Sequence, residues 1–184
     1  MVDLVMLQSV SYIAGATGVA IAAIFYVLNL RISQRNMKQT LETRQAQMLM
    51  SLYQKWSEPE FQEAWDTLLT VEYSSFDDYM SKYGAQSNPD FYRKTRILSP
   101  FFEGLGVFVK RGFIDSALVD DMMSGYVVTF WQKLGPFFLE ERKRLNYPAN
   151  AEYTEYLYNV VYEIWMRQHP ETPKPLSPQE HVPL

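Results

Sequence analysis

The stretch LVMLQSVSYIAGATGVAIAAIFYVLNL, residues 4–30, has no charged side chain anywhere between Asp3 and Arg31. As a helix, a run of this length reaches roughly 40 Å, against a bilayer hydrocarbon core of roughly 30 Å. Tilt, or seating the ends among the headgroups, takes up the surplus. The expectation is a transmembrane anchor over residues 1–30. A secretory signal peptide would carry a basic leading region and a shorter apolar core, whereas the leading charge here is Asp3.

Orientation follows from the flanks. Nothing basic precedes the span, while Arg31, Arg35 and Lys38 follow it directly. The positive-inside rule then puts the N-terminus outside and the remainder in the cytoplasm, as a single-pass protein of the cell (inner) membrane. The same three cations are expected to contact anionic headgroups. The formal net charge is −4, which argues against a general nucleic-acid binder, since that role needs a basic face. The absence of cysteine agrees with a reducing compartment.

Within the span, a 100° step per residue places Gln8, Ser11, Gly15, Gly18, Ala22 and Asn29 on one side. Val5, Leu7, Val10, Ala14, Thr17, Ile21 and Leu28 occupy the flanks and far side of the helix and suit lipid. Small residues let helix backbones approach closely in a bilayer, and Gln, Ser and Asn hydrogen-bond across such a contact. The polar side is therefore expected to pack on another helix, either a copy of this chain or a partner subunit. It continues past the membrane through Ser33, Asn36 and Thr40, so a pore lined by this side in a homo-oligomer is an alternative.

Residues 31–56 contain neither Pro nor Gly and are rich in helix formers, with Met37, Leu41, Met48 and Leu52 on one side. A helical stalk continuing the anchor is expected, although Arg44 and Gln45 interrupt the apolar stripe and disfavour a long coiled coil. From residue 57 to residue 168 the pattern is of capped helices. Ser57-Glu58-Pro59-Glu60 reads as a capped start with Ser57 as N-cap, and Ser75 with Asp78 as a second capping box. Asn88-Pro89 opens what reads as one long helix to about Arg111, stopped by Gly112. Asp115 caps a helix to about Leu145, with a kink or break at Gly135-Pro136. A last helix follows Pro148, and residues 169–184 form a proline-rich tail. The fold class is all-α: one transmembrane helix continuing into a stalk, then a cytoplasmic bundle of about five helices.

Chemistry is hard to find in this chain. The two histidines, His169 and His181, lie at the start of and within the tail, and with no cysteine the usual metal-ligand spacings are missing. Glu103-Gly104-Leu105-Gly106 lacks the Lys-Ser/Thr of a phosphate loop. Glu103 stands out as an acid among Phe101, Phe102 and Leu105, with Arg93, Arg96 or Lys133 as its expected structural partner. Asp120-Asp121 and Glu140-Glu141 read as solvated faces. The aromatics at helical spacing read mainly as core. The tyrosines of the last helix, Tyr153, Tyr156, Tyr158 and Tyr162, exceed the needs of one core, and Tyr favours interfaces.

Phe101-Phe102-Glu103, Gly112-Phe113-Ile114-Asp115, Trp131, Pro136 and Arg142 together resemble a family of uncharacterised bacterial and archaeal proteins. The resemblance implies one N-terminal span and a cytoplasmic helical domain of unknown function, and it carries no activity, cofactor or catalytic residue. The functional expectation is a non-enzymatic, membrane-anchored interaction module without cofactor, metal or small-molecule substrate. Its partners would be the lipid bilayer and other protein chains, as an accessory or scaffold subunit of a larger membrane complex. A homo-oligomeric, pore-forming assembly is the first alternative. A small-molecule sensor or enzyme using an aromatic pocket near Glu103 is the second.

Overall fold

The computed structural model describes residues 4–171, so His181 and all but the first residues of the 169–184 tail lie outside the described residues. The described chain is all-helical: α1 (Leu4–Trp56), α2 (Pro59–Leu69), α3 (Phe76–Tyr83), α4 (Pro89–Thr95), α5 (Leu98–Lys110), α6 (Ser116–Leu145) and α7 (Glu152–Gln168). It forms two compact units with a boundary after Arg44. Among its described residues the first holds only the part of α1 up to Arg44, an uninterrupted helix whose side chains are all exposed. Among the described residues, α1 is the one helix long and apolar enough to cross a membrane.

The second unit begins at Gln45, so the final turns of α1 are part of the helical domain and not of a free stalk. Leu49 and Trp56 are each 2 % exposed, and Met48, Leu52 and Tyr53 pack against the same core. The Trp56 ring lies 5.1 Å from Trp65, 5.5 Å from Phe101, 5.7 Å from Phe102 and 4.6 Å from Tyr126. Tilted and edge-on pairs of this kind add to the burial term. Phe102 in turn stacks on Phe130 at 4.3 Å, and α7 lies across both α5 and α6.

Local signals set most helix ends. Ser75 Oγ accepts from the Asp78 amide at 3.1 Å, Asn88 Oδ1 from Phe91 N–H at 3.1 Å, and Asp115 Oδ1 from Ala117 N–H at 2.9 Å. Gly112 has φ of 71°, with Phe113 N–H donating to Phe108 O at 2.9 Å and Gly112 N–H to Val109 O at 3.0 Å. That pair of bonds is the Schellman ending that glycine permits.

Two expectations need correction and a third narrows. The long helix expected from Asn88 to Arg111 is two helices, because Pro100 has no amide to give the Arg96 carbonyl and its ring crowds that group. Among the described residues, six helices follow α1, in keeping with a bundle of about five. Ser57 does not cap α2: its hydroxyl donates back to Tyr53 O at 2.9 Å, and Glu58 takes the cap position while its carboxylate pairs with Lys55. Of the kink or break expected at Gly135-Pro136, the break does not occur, since α6 runs through Pro136. The Tyr73 hydroxyl donates to Lys133 O at 2.8 Å and accepts from the Phe137 amide, entering the ladder that proline disturbs. Burial pushes the Tyr73 phenol up to about 12.

Candidate functional site

Gln8, Ser11, Gly15, Gly18, Ala22 and Asn29 are all exposed on one unbroken helix. An added Cβ would meet nothing within 4 Å at Gly15 or Gly18. Ser11 Oγ donates to Leu7 O at 3.0 Å, and Gln8 Nε2 donates to the Tyr12 hydroxyl at 3.4 Å. Those bonds use the Ser11 hydroxyl proton and one Gln8 N–H within the helix, while Gly15, Gly18 and Ala22 leave an open, shallow surface. Arg31, Arg35 and Lys38 are exposed too, and Lys38 reaches Glu42 at 3.8 Å.

In the domain, Glu103 has a partner that its sequence neighbours do not announce. Its carboxylate accepts from Tyr153 N–H at 3.2 Å, Thr154 N–H at 2.9 Å and the Thr154 hydroxyl at 2.7 Å. Ala151, at the N-cap of α7, has no side chain able to satisfy those amides. Glu103 therefore caps α7 from across the α5–α7 contact, where its negative charge also meets the positive end of the helix dipole. None of the expected cations holds it. Lys133 donates to Leu69 O and Val71 O at 3.0 and 2.9 Å, closing the end of α2, and Arg93 pairs with Asp90.

One turn along α5, Gly106 makes the approach possible: a Cβ there would lie 2.1 Å from Tyr153 O. The glycine that fits no phosphate loop is thus a close-packing glycine. Arg142 completes the support of α7. Its Nε donates to Asn150 O at 2.6 Å and its Nη1 pairs with Glu155, while Asn150 Nδ2 donates to Glu141 at 2.6 Å.

The α7 tyrosines are not one surface. Tyr158 is 5 % exposed and belongs to the core. Tyr153 is half-buried against α5, and Tyr156 is half-buried beneath the Lys110 ammonium, 4.2 Å from the ring centre. Tyr162 is half-buried, its ring 5.6 Å from Tyr158 and 6.5 Å from Trp165. The stack ends at His169, 5.2 Å beyond Trp165.

Asp120, expected on a solvated face, is instead 7 % exposed. Burial raises its carboxyl above the usual range, opposed by a hydrogen bond from the Gln168 side chain, with a smaller upward push from Asp121 and a smaller opposing one from His169. Its Oδ1 is buried with no hydrogen-bond partner among the described residues. The signal was available, because Met123, Val127 and Leu134 share its side of α6 at helical spacing. No group of three or more metal-ligating side chains forms among the described residues.

These features define an all-α protein in which a long exposed apolar helix leads into a compact helical domain. Residues 13–161 match the DUF4760 domain of unknown function, and the chain belongs to that family. Neither a curated protein nor a solved structure matches it.

Proposed function

We propose that this protein is a membrane-anchored interaction module, with α1 spanning the inner membrane N-terminus outside and packing through Gln8, Ser11, Gly15, Gly18, Ala22 and Asn29 on a helix of another subunit. The helical domain then acts in the cytoplasm as an accessory or scaffold element, and not as an enzyme. The observation that carries this reading is the face itself: an uninterrupted helix with small residues open at its middle and no covering residue among the described residues of its own unit. In lipid, where apolar side chains gain little from one another, close backbone approach and interhelical hydrogen bonds favour association. Glu103 lends no support to the enzyme alternative, because its carboxylate is occupied in capping α7.

Native mass spectrometry of the full-length protein, extracted from its own membranes in mild detergent, tests the proposal. An assembly containing other chains is expected. Multiples of 21.6 kDa alone would favour the homo-oligomer instead, and a bare monomer would count against both.

A further inference from the structure

We infer that Arg31, Arg35 and Lys38 form a one-sided docking stripe for anionic phospholipid headgroups, on the side of α1 opposite its helix-packing face. The inference deepens the proposed function and rests on it for the meaning of the opposite face. Because α1 runs unbroken from Leu4 to Trp56, angular phase carries from the span into the residues beyond it. At 100° per residue, Arg31, Arg35 and Lys38 fall within an arc of about 60°. The centre of the Gln8–Asn29 face lies about 180° away on the same count, and Ser33, Asn36 and Thr40 continue that polar face without charge.

Charge points to the same occupant. Among the described residues, neither Arg31 nor Arg35 forms an ion pair, and the contact of Lys38 with Glu42, at 3.8 Å between exposed side chains, is weak. Three cations spaced over two turns just past an apolar span stand at headgroup depth, where a long basic side chain extends along the interface. A helix packed through its polar side turns this stripe outward, toward the lipid ring around the assembly. A partner docked through the stripe would have to supply acidic groups at that depth, and a phosphodiester headgroup is already there.

The test reconstitutes full-length protein in phosphatidylcholine vesicles and measures the association of spin-labelled phosphatidylglycerol relative to spin-labelled phosphatidylcholine. A preference for the anionic lipid of about five-fold at one lipid position is expected from a cation held at the surface. The triple variant Arg31→Gln, Arg35→Gln, Lys38→Gln should bring the ratio to about one, with unchanged helix content by circular dichroism. Gly18→Leu should leave the preference intact while weakening the assembly seen by native mass spectrometry. Equal association of the two lipids with the unmodified protein, or a preference that survives the triple variant, overturns the inference. An assembly mass insensitive to Gly18→Leu, with the lipid preference lost only in the triple variant, would sink the packing reading and leave the headgroup contact standing.

Discussion

Two glycines of α5, two residues apart, should respond to alanine with opposite signs. At Gly106 the added Cβ would sit 2.1 Å from Tyr153 O and 2.6 Å from Tyr153 C, both backbone atoms of α7. Backbone cannot swing aside as a side-chain tip does, so α5 and α7 must separate. Overpacking of a tight core costs about 1–3 kcal/mol, and separation would also lengthen the Glu103 bonds to the α7 amides, worth about 1 kcal/mol each. The better helix propensity of alanine returns at most about 1 kcal/mol. Gly106→Ala should therefore lose about 2 kcal/mol or more. At Gly104 the added Cβ meets nothing within 4 Å, so Gly104→Ala should gain up to about 1 kcal/mol. Urea unfolding of the full-length protein in mild detergent, followed by circular dichroism, measures both. A Gly106→Ala variant as stable as Gly104→Ala would refute the close α5–α7 packing.

Three further outcomes follow from the site. Glu103→Gln should cost about 1–2 kcal/mol and raise hydrogen exchange first at the Tyr153 and Thr154 amides, because a neutral amide accepts those bonds less strongly than a carboxylate; uniform exchange along α7 would speak against a cap. Burial raises the folded-state carboxyl of Asp120 above its ordinary value, so its contribution to stability is full below that ordinary value and is lost as pH rises through the raised one. Asp120→Asn should then be more stable than the unmodified protein at neutral pH, with the difference closing on acidification in urea titrations; a pH-independent difference would mean that ionisation is not involved. A cysteine at exposed Ala85, in a chain that otherwise has none, should react with a membrane-impermeant maleimide only after the cells are opened. Labelling of intact cells would reverse the proposed topology.

What the sequence made legible was local. Ser75, Asn88, Asp115 and Gly112 act within one turn of themselves, so their residue types and spacing suffice to place the helix ends. Pro100 was equally local, and its missing amide accounts for the division of α4 from α5. The role of Glu103 depends on a helix start 50 residues later in the chain, and nothing in the residues beside it encodes that meeting. Gly106 had a partial signal, as a glycine inside an otherwise apolar helix implies a packing reason. Asp120 and Tyr158 were misplaced because residue type outweighed phase. Each shares the buried side of its helix with apolar neighbours, Met123 and Val127 for the acid, Leu157 and Val161 for the tyrosine. The open face of α1 is the reverse case: its pattern could be read from the sequence, and the structure adds that the helix beneath it is unbroken and that Gly15 and Gly18 stand clear.

The central claim is that one side of α1 packs on another helix inside the membrane. Site-directed photo-cross-linking in the native membrane tests it most directly, with a benzophenone side chain installed in turn at Ala22 and Asn29 and, as controls on the far side of the helix, at exposed Ile13 and Ile24. Packing through that side predicts protein adducts from Ala22 and Asn29, and lipid adducts alone from Ile13 and Ile24. Lipid adducts alone at all four positions would contradict it.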